Sequence, residues 1–469
     1  MTQHTELARR AVASGTLGAV AAGARPAAAI GTAILLQGGN AYDAAVAAAL
    51  AETVLLPSKC GPAGDVVALH LGADADRPAS LISVGKAPAR LYGAAEATGW
   101  APCVTGPLSV GVPGAPAGYS ALAARGRLGL AALTRPAIDL ARRGIIWSSV
   151  NRRLVAESLD VLTEWQPQGT RYSPTDGPLP LGSRVRLPGL ADVLTEFADR
   201  GAELFTGALG ERVVAYVTGH GGVVEPADLR PVPPLETPAG HAPIDGTDVW
   251  ATPAPTYGPA LLAALAEGGA PEAVRAALAG LRAPTGLPPA LVDGTSTVAA
   301  ADAEGNLVVL VHSNSFPRYG SGLVVPGLDL VLSNRAGRGF TFLPGHPNAP
   351  LPGSRPPTTL HAWAAKDSSG AWVLGATPGG EQQVPWNTQT LRRLLDLPPD
   401  LAPDLAPAAL ATALAAPRWE FTASGDLLRE GDRLPEFGAR SAHTIVRRDA
   451  DGTLTAVADP RQDTAAVAL

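Results

Sequence analysis

The sequence predicts a protein of mixed helices and strands built around a large buried core, and three observations carry that expectation. Residues Arg25 to Leu56 form an Ala-rich, helix-like stretch. Near residue 294 the texture changes to successive strand-like segments. The 469 residues are 46% hydrophobic and only 17% charged, a balance that supports a core and excludes wholesale disorder.

Along the chain, Gly38, Gly39 and Asn40 interrupt the first helical stretch, and AYDAAVAAALAETVLL resumes it. The turn Ser58 to Asp65 (SKCGPAGD) precedes a strand, VVALHL. A second turn, GVPGAPAG from Gly111, leads into one helix-like run, YSALAARGRLGLAALTRPAIDLARRG. Residues 166–190, rich in Pro and Gly, read as a surface excursion, and Pro231 to Gly246 as a linker. Residues 295–334 read as strands TSTVAAADA, NLVVLVHS and LDLVLSN, separated by EGN and YGSG. A Pro-rich connection, the strand AWVLGAT, the turn PGGE and a helix from Trp386 to Leu395 follow. The change near residue 294 is the main organisational boundary.

A net charge of −6 offers no basic field for a polyanion, so the expected partner is a small molecule and not nucleic acid. With only Cys60 and Cys103, no disulfide framework or cysteine metal site is expected. No metal cluster or nucleotide loop is legible, so no cofactor is expected. The start, MTQHTELARRAVASG, lacks a signal-peptide pattern, and no apolar run reaches the roughly 18 residues of a membrane span; the expectation is a cytoplasmic protein away from the membrane.

Thr295 follows Gly294 at the start of a strand. A threonine there can serve as a nucleophile if a freed α-amine acts as its base, and that amine's ordinary pKa of about 7.7–8.0 suits the task. Freeing it requires the hydroxyl to attack the Gly294 carbonyl, followed by an N-to-O acyl shift and ester hydrolysis. Equally, Gly–Thr–Ser–Thr is an ordinary strand entry. Gly379 and Gly380, after a strand and before a helix, can aim backbone N–H groups at an oxyanion or form a plain β-to-α turn. Thr358 and Thr359 can donate to a substrate or be strand residues.

In order, the motifs resemble those of the gamma-glutamyltransferases. GGNAYDAAVAAAL, GVPGAPAG, FTG with GGVVEPADL, and PTYGPALLAAL resemble that family's large-chain signatures. In TSTVAAADAEGNLVVL, Asp302, Gly305 and Asn306 stand at the family's distances from the nucleophile. GSGLVVPGLDLVLSN, PGSRPPTT, TPGG, APR and DPR follow, so the resemblance covers about residues 25 to 462.

It implies an α+β fold, the four-layer αββα sandwich of the N-terminal-nucleophile hydrolases. It implies self-cleavage into a large chain, 1–294, and a small chain, 295–469, which form one structural unit overall as a heterodimer or a dimer of such pairs. It also implies catalytic roles for Thr295, Ser313, Gly379 and Gly380. Asn314, Thr358 and Thr359 become candidate substrate contacts.

The chain departs from the family at the glutamate clamp. The family's carboxylate-binding arginine is replaced by Val84 in VGKAP, and the acidic pair before Phe340 by Ala336-Gly337-Arg338-Gly339. The loop Gly61 to Asp65 is altered, and the histidine after the Thr pair is Thr297. Lys86, Arg90 and Arg338 are the candidate replacement cations. The expected activity is Thr-dependent hydrolysis of an amide or related acyl bond, including a C–C bond beside a carbonyl, in a small molecule such as a natural-product intermediate. A genuine gamma-glutamyl hydrolase or transferase with a rebuilt clamp, and an uncleaved non-catalytic homologue, are the alternatives.

Overall fold

The computed structural model describes residues 11–281, 294–397, 406–422, 424–431 and 442–469. Two seven-stranded antiparallel sheets dominate it. Their strands are β1 (Val12–Gly15), β2 (Gly18–Ala22), β3 (Asp65–Leu71), β4 (Ala79–Ser83), β5 (Leu235–Pro238), β6 (Gly240–Ile244) and β7 (Thr247–Ala251), then β8 (Thr295–Asp302), β9 (Leu307–Ser313), β10 (Trp363–Lys366), β11 (Trp372–Ala376), β12 (Thr444–Arg448), β13 (Leu454–Ala458) and β14 (Ala465–Ala468). The first sheet runs β1-β13-β12-β11-β10-β7-β6, and the second β14-β2-β8-β9-β3-β4-β5.

Strand alternation sorts the side chains into layers. In the second sheet Ala299, Ala301, Val309, Val311, Val67 and Leu69 meet Ala364, Trp372, Leu374, Val446 and Ala456 of the first. The alternate residues Val298, Ala300, Val308 and Leu310 face a helical layer. That layer contains α1 (Arg25–Leu36), α2 (Ala41–Leu55), α3 (Ala115–Ala123), α4 (Gly129–Arg143) and α5 (Pro188–Arg200). On the far side, Trp363, Val373, Ile445 and Val457 pack against α6 (Gly258–Ala266), α7 (Gln383–Leu395) and α8 (Ala406–Ala415). The order is helix, sheet, sheet, helix.

Helix α2 is buried on nearly every side, which its alanines permit by letting sheet and helices approach closely. Its start is fixed by a capping box: Tyr42 and Asp43 donate backbone N–H bonds to the Asn40 side chain, and Asn40 N–H donates to Asp43. Ala41 N–H donates to Asp302 Oδ2 at 2.8 Å, and the Glu304, Gly305 and Asn306 amides donate to Asp302 Oδ1. The GGNAYD motif and the β8–β9 turn are thereby tied together.

Four expectations need correction. Pro231 to Gly246 is not a linker, because β5 and β6 pair there at the edges of both sheets; edge strands tolerate Pro238 and Pro243, which hid them. The helix predicted after Gly118 is two helices, broken where Arg127 N–H donates to Asp43 at 2.7 Å. Only Leu330–Val331 of LDLVLSN is strand, and the helix after PGGE begins at Gln383. Within 166–190, mostly open to solvent, Tyr172 is buried and donates to the Asp329 carbonyl at 2.6 Å.

Candidate active site

Thr295 opens β8 and Ser313 closes β9, and the register sets them directly opposite each other. Asp65, the first residue of β3, is opposite Ser313 in turn. Cross-strand partners share a face, so Thr295, Ser313 and Asp65 form one row at the end of the second sheet, on the side turned to the first. All three are buried.

The hydroxyls form a directed chain. Ser313 Oγ donates to the Gly294 carbonyl at 2.7 Å and accepts the Ser315 N–H at 2.8 Å. Its single proton is then committed, so Thr295 Oγ1, 2.9 Å away, donates to Ser313 Oγ. A Cβ on Gly294 would lie 1.9 Å from the Ser315 carbonyl oxygen. Close approach of that carbonyl is therefore a physical reason for glycine before Thr295, beyond the backbone freedom expected from sequence.

The first sheet brings its own turn to this end. Thr444 Oγ1 donates to Thr297 Oγ1 at 3.0 Å, and Thr444 pairs with Ala376, the last residue of β11. Thr377-Pro378-Gly379-Gly380 follows. Gly379 (φ +141°) and Gly380 (φ +56°) both adopt backbone that favours glycine. A Cβ on Gly379 would sit 2.2 Å from Trp386 of α7. With its amide reoriented, Gln383 links Thr377 O (3.1 Å) with Thr359, so the Thr358–Thr359 segment joins the same turn. Thr358 bonds the Leu360 amide at 3.2 Å.

A second network lies behind the row, on the helical face. His312 Nε2 contacts Glu52 Oε2 at 2.8 Å, Tyr119 OH meets His312 Nδ1 at 2.7 Å, and Gly23 N–H donates to Glu52 Oε1 at 2.6 Å. Cys60 completes a Glu–Cys–His group whose ligand atoms lie within 4.8 Å of one another. Burial pushes the Cys60 thiol well above its ordinary pKa, and its Sγ donates to the Leu56 carbonyl at 3.8 Å. The carboxylate and imidazole already satisfy one another, so the group reads as a closed brace for β9.

The gamma-glutamyltranspeptidase family model matches residues 27–267 and 286–469. This chain belongs to that family. It is 27% identical to the acylase ACY 1 proenzyme of Pseudomonas sp. (strain SE83), over 97% of this chain and 94% of the relative. It is 30% identical to glutathione hydrolase proenzyme 2 of Schizosaccharomyces pombe, over 54% of this chain and 41% of that protein. Among solved structures it superposes on cephalosporin acylase from Bacillus halodurans with a TM-score of 0.83, 28% identity, and 98% and 97% of the two chains covered. The αββα layering is that of the N-terminal-nucleophile hydrolases, and the acylases and glutathione hydrolases among this gamma-glutamyltranspeptidase-family chain's relatives fit hydrolase activity.

At the positions that the resemblance assigns to the glutamate clamp, other side chains stand. Val84 is packed between the sheets, where no side chain of its kind can bind a carboxylate. Lys86 is half-buried in an irregular segment, not an extended strand, and makes no side-chain hydrogen bond or ion pair among the described residues. Arg90 is exposed and pairs with Glu225 at 3.5 Å on the surface. Arg338 is brought near the Gly379–Gly380 turn. Its guanidinium lies 4.8 Å from the Phe316 ring centroid, and Nε donates to the Phe316 carbonyl at 3.3 Å. Burial lowers its pKa, and the nearby Glu381, next to Gly380, opposes that.

Asn314 is held by the 57–59 segment, its Nδ2 donating to the Pro57 carbonyl at 3.2 Å and its backbone N–H to Lys59 O, while its buried Oδ1 has no partner among the described residues. Two residues absent from the sequence-based candidates belong here: Asp65 stands in the row itself, and Arg335 pairs with it from outside the sheet (Nε to Oδ2, 2.7 Å). Their partnership spans 270 positions, so no local pattern announces it.

Proposed function

We propose that the protein matures by cleavage between Gly294 and Thr295 and then hydrolyses an amide or related acyl bond of a small molecule that is not a standard gamma-glutamyl compound. The observation that carries this reading is the chain Thr295–Ser313–Gly294 carbonyl. Before cleavage, the Thr295 proton is directed to Ser313, which exposes the oxygen lone pairs. The same Ser313 hydroxyl polarises the Gly294 carbonyl. Attack by Thr295 Oγ1 on that carbon, departure of the Thr295 nitrogen as an amine, and water attack on the resulting ester separate the chains and free the α-amine. That amine then takes the proton of Thr295 Oγ1 as it attacks a substrate carbonyl, and returns it to the leaving group. The Gly379–Gly380 backbone is the candidate oxyanion donor.

The altered clamp supports the second half of the reading. A charge-assisted hydrogen bond is worth about 1.5–3 kcal/mol, and Val84 supplies none. Intact-mass measurement tests the first half: the wild type is expected as two chains and Thr295→Ala as one. A gamma-glutamyl anilide tests the second, since rapid turnover would support a rebuilt glutamate clamp instead.

A further inference from the structure

The Arg335 guanidinium is buried, yet only part of it is spent. Nε donates to Asp65 Oδ2 at 2.7 Å, while Asp65 Oδ1 accepts the Gly85 N–H at 2.7 Å. Nη2 is buried and has no hydrogen-bond partner among the described residues. A guanidinium carries five N–H donors in a fixed fork. Orphaned buried donors are rare in folded proteins and call for a partner.

Its location gives that partner a meaning. Asp65 is opposite Ser313, which is opposite Thr295. At about 4.8 Å per strand, Asp65 lies about 10 Å from the candidate nucleophile, the reach of a short acyl chain. Glycines keep the surroundings of Arg335 narrow: a Cβ on Gly111 would lie 3.1 Å from its Cβ, and one on Gly339 would lie 3.4 Å from its Cδ and 2.4 Å from Pro356. Arg335 thus stands between the altered clamp segment and the Pro356–Thr359 segment. Both members of the ion pair also fall at departures from the family pattern. Asp65 ends the altered loop, and Arg335 immediately precedes Ala336–Gly339, where the acidic pair is missing.

We propose that Arg335, oriented by Asp65, is the specificity-determining residue that binds a carboxylate at the far end of the acyl group. The substrate then carries that carboxylate without the α-amine of a glutamyl group. This inference rests on the acyl-hydrolase reading above. Asp65 fixes the fork through Nε and leaves the Nη2 edge for the ligand, so the site takes planar anions in preference to neutral acyl tails.

5-Oxohexanoate and 2-hexanone, equal in carbon number and different in one carboxylate, are the binding probes, and glutaryl and valeryl p-nitroanilides are the kinetic ones. In calorimetric titration of the purified protein, 5-oxohexanoate is expected to bind at least about 10-fold more tightly than 2-hexanone, as a charge-assisted contact predicts. Arg335→Gln should remove that difference, and Arg335→Lys should retain a part of it, because charge stays while the fork is lost. In turnover, Arg335→Gln should lower kcat/KM for the glutaryl anilide and spare the valeryl anilide. A merely structural arginine would slow both alike. Equal binding of the two ketones by the wild type, or an unchanged ratio in Arg335→Gln, overturns the inference. If neither anilide is hydrolysed, the acyl-hydrolase reading fails, while the binding comparison still decides the role of Arg335.

Discussion

At the scale of single residues, one serine hydroxyl serves both events proposed at this site, because it touches the Gly294 carbonyl and Thr295 Oγ1 together. Ser313→Ala should therefore slow chain cleavage by about 10²–10³, the usual cost of removing one donor from a developing oxyanion. Ser313→Thr keeps the hydroxyl and should restore it; timed intact-mass spectra compare the two, and equal rates for alanine and serine would contradict this. Gly294→Ala should block cleavage outright, since its Cβ would collide with the Ser315 carbonyl at 1.9 Å. Thr295 and Ser313 became candidates through the ordered family motifs around them, since Gly–Thr–Ser–Thr alone reads equally as a strand entry, and the β8–β9 hairpin sets the two opposite each other. Arg335 was not legible, because a guanidinium acquires a role only from the carboxylate that holds it. That carboxylate belongs to β3, which no hairpin connects to Arg335.

At the scale of elements, β11 and α7 act together through the turn between them. Trp386 of α7 covers Gly379, and the Arg418 guanidinium lies 4.9 Å above its ring. Gly379→Ala would place a methyl group 2.2 Å from that ring at a φ of +141°. The expected outcome is a cleaved, folded protein whose kcat falls by at least about 10²-fold, as loss of an aligned donor predicts. Normal kcat in that variant would remove the turn from the oxyanion role.

A neutral histidine holds the neighbouring strand. His361 Nδ1 donates to the Thr359 carbonyl at 2.8 Å, and its Nε2 accepts Asn387 Nδ2 at 2.9 Å, while Asn387 Oδ1 accepts Trp363 Nε1. Burial lowers the pKa of His361 from 6.5 to about 4. Buried His443 is likewise lowered from 6.5 to about 4. Between those values the unfolded chain binds protons that the folded chain refuses, so stability falls as pH drops through that window and is level above it. Melting temperatures measured across the window should show the decline, and a flat profile down to about 4 would contradict it. The central strands were legible from alternation and apolar run length. The edge strands β5 and β6 were not, because exposed residues and prolines mimic a connector there.

At the scale of the whole molecule, residue 294 does not separate two structural units. In the second sheet, β2 lies between β14 and β8, and β9 pairs with β3; in the first, β1 pairs with β13 and β10 with β7. Both sheets contain strands from before and after the proposed cut, paired with one another, so the change in sequence texture near residue 294 marks a change of composition and not a boundary between units. Intact Thr295→Ala should therefore refold from denaturant as a single chain, with recovery independent of concentration. The cleaved wild type must reunite two polypeptides, so its recovery should be lower and should rise with concentration. Equal recovery would mean that the fragments fold independently.

Shared sheets also change what stability means once the peptide bond is gone. The contacts are the same before and after, but the connectivity that made folding a reversible, one-molecule event is removed. The cleaved protein persists for as long as its two pieces take to pull out of one another, so its lifetime becomes a rate of opening and no longer a balance between folded and unfolded states. A mutation that stabilises only the finished sandwich would lengthen that lifetime, whereas one that speeds the first folding would leave it unchanged.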